Sequence, residues 1–261
     1  MLTIEQIKAN FSSHLFERNS KGVLVEYLQY ELLDSIYKFE ESRQLSFIGG
    51  TAIRIIHDSN RFSEDLDFDN FGLSYGGFER LLNKVVTDME NKGFLIEFRL
   101  IESGAYHCYV KFPKILQDTG ISSHSKEKIL VRIDTEHKDK TYKPIIHILN
   151  KFMVYRKIQI APVDILLAQK LITILQRKRE KGRDLYDTSF LYGLSQPNVE
   201  YIQLTTKMSF ELFRSALLAR VESFDLSLLA KDVDPFLFSS ADVDRILTFD
   251  SFVRQAMKIS K

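Results

Sequence analysis

Val25, Leu28, Leu32, Ile36 and Phe39 recur every three to four positions between polar residues, the spacing of a helix that buries one face. That helix delivers the chain to Leu45-Ser46-Phe47-Ile48, a short apolar run that reads as a buried strand. Gly49-Gly50 breaks the run, and helical character resumes over residues 51–58, where Ala52, Ile55 and Ile56 are apolar. In Asp65-Leu66-Asp67-Phe68-Asp69, acid and apolar residues alternate. A strand there sets the acids on one face and Leu66 and Phe68 on the other. Residues 78–93 read as a helix closed by Gly93, and residues 95–100, 106–112 and 128–136 as extended segments. In the last of these, Val131 and Ile133 face one way, and Leu130, Arg132 and Asp134 the other.

Residues 152–160 also read as extended. From Pro162 the pattern changes: Ile165, Ala168, Leu171, Ile172 and Leu175 repeat at helical spacing up to residue 180. Residues 184–192, 206–221, 226–230 and 241–258 supply further helices, punctuated by Pro197 and Pro235. The expected fold is therefore α+β. A mixed sheet with flanking helices occupies residues 1–160, a helical bundle residues 161–261, and a ligand is expected in a cleft between the two lobes.

Composition narrows the setting more than the chemistry. The chain of 261 residues carries a formal net charge of +1, so any attraction to a polyanion must be local. One cysteine, Cys108, excludes an intramolecular disulfide framework and fits the cytoplasm. Residues 1–20 mix Glu5, Lys8, Glu17 and Arg18 among apolar positions, unlike a signal peptide. No window approaches the roughly 20 apolar residues of a membrane helix. His14, His57, His107, His124, His137 and His147 show no zinc-type spacing and read as structural or exposed. The glycine-flanked serine elbow, the P-loop and the kinase glycine loop are all missing, which removes those enzyme classes.

What remains is an acid strand beside a glycine turn. Asp65 and Asp67, two apart, present carboxylates side by side, as the oxygen-seeking Mg²⁺ requires. Unpaired carboxylates that close raise one another's pKa, so a bound cation or basic neighbour keeps both ionised. Asp134 is the candidate third carboxylate, with Asp69 or Glu136 as alternatives. Gly49-Gly50-Thr51 lets backbone N–H groups approach phosphate oxygens at the start of a helix, and Thr51 can add a hydroxyl. Further on, Lys170 emerges from a partly apolar helix face, where a phosphate or plain solvent would suit it. Asp184 and Asp187 share a helix face, although Asp184 could equally cap the helix start. Residues 176–183, rich in Lys and Arg, read either as an RNA contact or as a solvated helix end.

The stretch Phe47-Ile48-Gly49-Gly50-Thr51-Ala52, followed by Arg61-Phe62-Ser63-Glu64-Asp65-Leu66-Asp67-Phe68, resembles the core signature of DNA polymerase β-like nucleotidyltransferases. It is most similar to the AbiEii/AbiGii toxin family, whose later motifs are matched by Lys170 and by Arg183-Asp184-Leu185-Tyr186-Asp187. Gly50 departs from the superfamily's usual serine. The resemblance implies a nucleotidyltransferase fold and Mg²⁺-dependent transfer from an NTP. It casts Asp65, Asp67 and Asp134 as metal and catalytic groups, and Gly49, Gly50, Thr51, Arg61 and Ser63 around the triphosphate. Lys170 and Asp184 complete the catalytic set, with Lys170 also on the nucleotide. It further implies a growth-inhibiting toxin of a toxin–antitoxin or abortive-infection (phage-defence) system, with tRNA as acceptor and a cognate antitoxin carrying a DNA-binding domain. Transfer to a protein or small molecule, or nucleotide binding without catalysis, is the alternative.

Overall fold

The computed structural model describes residues 1–124 and 126–258. The chain forms two compact units, one of Met1–Ala52, Phe62–Lys140 and Pro144–Ile160, the other of Ile53–Arg61, Thr141–Lys143 and Ala161–Lys261. This differs from a single cut after Ile160, because residues 53–61 and 141–143 pack with the helical residues.

The first unit is built on one mixed sheet. Its strands among the described residues are β1 (Leu45–Ile48), β2 (Leu66–Asn70), β3 (Glu97–Ser103), β4 (Ala105–Pro113), β5 (Lys128–His137), β6 (Ile145–Lys151) and β7 (Val154–Ile160). They run in the order β3-β4-β5-β2-β1-β7-β6. β2 is parallel to β5 and antiparallel to β1, and β1 is parallel to β7. The acid strand is thus central, which removes the possibility that its carboxylates merely decorate a sheet edge.

Helices α1 (Ile4–Lys8), α2 (Ser13–Arg18), α3 (Ser20–Ile36), α4 (Gly49–His57), α5 (Tyr75–Asn91) and α6 (Ile115–Asp118) accompany these strands, α4 crossing from the first unit into the second. Asn19 and Ser74 start α3 and α5 by accepting from the backbone N–H of Gly22 and Gly77. α3 is buried on nearly every side, and its Tyr27 and Tyr30 meet Phe152 edge-on at 5.5 and 5.2 Å. On the sheet's apolar face, Phe47 and Phe68 pair across β1 and β2 at 5.5 Å, with Leu66, Val131 and Ile133 buried beside them. Burying those side chains fixes the alternation in β2 and β5, because a slip of one residue would send them to the polar face.

The second unit contains α7 (Val163–Gln176), α8 (Gly182–Leu191), α9 (Val199–Thr206), α10 (Phe210–Glu222), α11 (Leu226–Val233), α12 (Asp244–Leu247) and α13 (Phe249–Ala256). Of the expected helices, that over residues 206–221 starts only at Phe210, behind an α9 the apolar spacing did not announce, and that over residues 241–258 is divided. Lys207, with φ +59, ends α9, and the Ser209 side chain caps α10. Between α12 and α13, Thr248 leaves helical geometry while its hydroxyl donates to the Asp244 carbonyl, the local bonding by which threonine competes with a helix. Gly182 opens α8 against α11 so closely that a Cβ there would lie 2.0 Å from the Leu229 carbonyl oxygen.

Candidate active site

In the first unit the sequence's two acid positions become neighbours. Asp67 stands directly opposite Asp134 across the parallel β2–β5 ladder, and Asp134 opposite His107 across β4–β5. Asp65 immediately precedes β2. Arg132, two residues before Asp134 and so on the same face, ties the group together. Its Nη2 lies 3.0 Å from Asp65 Oδ2 and its Nε 2.7 Å from Asp134 Oδ2. The other Asp134 oxygen lies 2.8 Å from His107 Nδ1. Partial burial works against the Arg132 charge, but Asp65, Asp134 and Asp67 outweigh it and hold the guanidinium above the ordinary arginine value.

The glycine turn lies against this face. Helix α4 begins at Gly49 itself rather than after the Gly-Gly pair, with Gly49 at φ +78, where glycine is favoured. A Cβ at Gly49 would sit 2.2 Å from Asp67 Oδ2. Its absence is what lets backbone and carboxylate come together, and the first amides of a helix have no intrahelical acceptor. Thr51 is buried and its hydroxyl donates to the Asp65 carbonyl, so it fixes the carboxylate-bearing segment. Gly50 is buried and Ser63 half-buried, with the Ser63 carbonyl accepting from Gln29 Nε2 at 2.9 Å.

Carboxylate oxygens at Asp65 and Asp67 are the hard donors that Mg²⁺ or Mn²⁺ takes, and that pair fits such an ion. Asp134 has His107 Nδ1 on one oxygen, and its other oxygen forms an ion pair with Arg132. Of the alternatives, Asp69 is completely buried, and Glu136 is exposed and paired with Lys138 at 2.9 Å. Among the described residues, no group of three or more His, Cys, Asp or Glu side chains is arranged to hold a metal.

Lys170, Asp184 and Arg61 belong to a second cluster, inside the helical unit. Lys170 Nζ on α7 lies 3.0 Å from Asp184 Oδ1 and 2.8 Å from Asp187 Oδ2, both on α8. Arg61 grips Asp187 with two parallel bonds of 2.6 Å, and both side chains are almost wholly shut from solvent, at 1% and 0% exposure. Arg177 Nη1 approaches Asp184 Oδ2 at 3.3 Å. Asp184 therefore sits in the first turn of α8 as an ion-pair partner, and Lys181 occupies the cap position. Burial opposes both charges, yet Asp187 and Asp184 raise the Lys170 pKa, while Arg61 and Lys170 lower that of Asp187. From the basic run, Lys178 and Arg179 are exposed.

Two participants were hidden in the sequence. His107 could be recognised only once β4 and β5 were in register. Arg132 carried a weak signal, its shared face with Asp134. A central mixed sheet with flanking helices and a helical second unit defines an α+β protein of the nucleotidyltransferase fold. Two Helicobacter pylori crystal structures share that fold. JHP933 matches with a TM-score of 0.55 at 17% identity, covering 90% of this chain and 91% of that one. A proposed nucleotidyltransferase matches with a TM-score of 0.55 at 16% identity, covering 94% of this chain and 96% of that one. No curated protein matches the sequence. The family model of the AbiEii nucleotidyl transferase toxin, a type IV toxin–antitoxin system, matches residues 31–254, and the chain belongs to that family.

Proposed function

We propose that this chain transfers a nucleotide from an NTP to a hydroxyl of an acceptor RNA, with tRNA as the favoured acceptor, in the cytoplasm. The observation that carries the reading is the approach of the Gly49 backbone to Asp67, which brings a phosphate-binding turn and a metal-type carboxylate into one place. Asp65 and Asp67 hold Mg²⁺, which when bound neutralises triphosphate charge. Gly49 and Gly50 offer backbone N–H groups to phosphate oxygens, Ser63 offers its hydroxyl, and Thr51 keeps Asp65 in position. The acceptor oxygen bonds to the α-phosphorus as the α–β bridging bond breaks. Pyrophosphate leaves and the hydroxyl proton passes to solvent.

Family resemblance supports catalytic importance for Lys170 and Asp184, and exposed Lys178 and Arg179 suit an RNA backbone. Modification of tRNA would slow translation and growth, with relief by a cognate antitoxin that carries a DNA-binding domain and a biological setting in phage defence. The test is incubation with each labelled NTP and total RNA, with protein and small-molecule fractions counted in parallel. Label is expected in tRNA, falling by about 100-fold or more in Asp65→Ala and Asp67→Ala. Undiminished incorporation by those variants removes the site, and label in protein or small molecules instead removes the RNA acceptor.

A further inference from the structure

Asp134 and Arg132 do something the two-aspartate reading leaves unexplained. A single guanidinium spans Asp65 and Asp134, with separate nitrogens 3.0 and 2.7 Å from one oxygen of each. Asp134's remaining oxygen faces His107 Nδ1 at 2.8 Å. A divalent ion bridging those same two oxygens would have to occupy the space the guanidinium fills, where Arg132 is held by a charge-assisted hydrogen bond to Asp65 and an ion pair with Asp134.

We infer that Arg132 takes the place of a second divalent ion between Asp65 and Asp134. The face then holds one protein-bound ion, on Asp65 and Asp67, and Asp134 acts as a positioning residue for Arg132 rather than as a metal ligand. The inference rests on the metal-dependent reading above and specifies its stoichiometry. The absence of a three-ligand metal cluster among the described residues is the expected consequence of filling that gap with a side chain. Arginine suits the role better than lysine, because its planar fork can reach two separated carboxylates at once and it stays charged.

The experiment counts ions directly. Mn²⁺ is titrated into the metal-stripped full-length chain without nucleotide, free Mn²⁺ is read by electron paramagnetic resonance, and circular dichroism melts check folding. Wild type is expected to bind one ion, lost in Asp67→Asn. Asp134→Asn should still bind one ion, weakened by about tenfold at most, the lower end of the effect of an outer-sphere partner. Arg132→Gln, which leaves Asp65 and Asp134 facing each other without their cation, should gain a second ion. Two ions or none in wild type, loss of the ion in Asp134→Asn, or a folded Arg132→Gln with only one, each overturns the proposal. Asp134→Asn decides the question even if Arg132→Gln does not fold. Nucleotide incorporation is scored separately. An active enzyme with two ions removes only the Arg132 assignment, whereas one ion with no transfer removes only the transferase reading.

Discussion

Arg61 and Asp187 meet through two parallel bonds of 2.6 Å with no solvent to screen them. Such a pair is weak evidence of net stabilisation, because desolvating both charges offsets much of their attraction. Removing one partner is a different matter, since it strands the other. Arg61→Ala leaves the Asp187 carboxylate buried with Lys170 as its remaining side-chain cation, and a loss of about 3–5 kcal/mol is expected. Chemical denaturation with the wild type alongside measures it, and a loss below about 1 kcal/mol, a surface pair's value, refutes the buried-pair account. The acid side has a definite sign. Burial raises the Asp187 pKa, but Arg61 and Lys170 more than compensate and leave it below the ordinary value. With the folded pKa depressed, the contribution is fully present above the unfolded value of about 3.9 and is lost as pH falls from there through the folded pKa. Arg61→Ala removes the main lowering influence, so its stability should fall less steeply over that acid window.

The turn from β1 into α4 is the smallest element on which the proposed chemistry depends. Gly49→Ala must put a side chain at φ +78 and drive its Cβ into the Asp67 carboxylate. Backbone strain there costs roughly 1–2 kcal/mol, which a folded protein survives, whereas a displaced Asp67 should cost at least about tenfold in incorporation. An active-site role is rejected if labelling falls no further than stability does. This element was legible in advance because glycine, acid and apolar residues each announce a local geometry. The period-two alternation likewise assigned Leu66, Phe68, Val131 and Ile133 to the buried face. Edge strand β6 was missed for the converse reason: Ile145, Ile146, Ile148 and Leu149 do not alternate, and Ile146 is 62% exposed. His107 was dismissed because a cross-strand neighbour depends on register, which no single strand encodes. The break at Thr248 was invisible because apolar spacing continues through α12 and α13 while the Thr248 backbone leaves helical geometry.

At the scale of the molecule, the helical unit is not a contiguous piece of chain. Residues 53–61 are built into it through an antiparallel bridge between Arg61 and Leu237, a bond from the Phe238 N–H to the Asn60 carbonyl at 2.9 Å, and Arg54 stacked 4.6 Å from the Phe238 ring. Tyr142, from the second inserted segment, meets Tyr201 edge-on at 6.0 Å. A fragment beginning at Ala161 would keep all of α7–α13 yet lose Arg61, leaving Asp187 half-neutralised beside a void the size of a guanidinium. The penalty estimated for Arg61→Ala then adds to the lost packing of Arg54 and Asn60, and the sum rivals the typical stability of a whole domain, about 5–15 kcal/mol. Residues 161–261 expressed alone should therefore show no cooperative thermal transition by circular dichroism. A sharp transition in that fragment would mean that the inserted segments decorate the helical unit instead of completing its core.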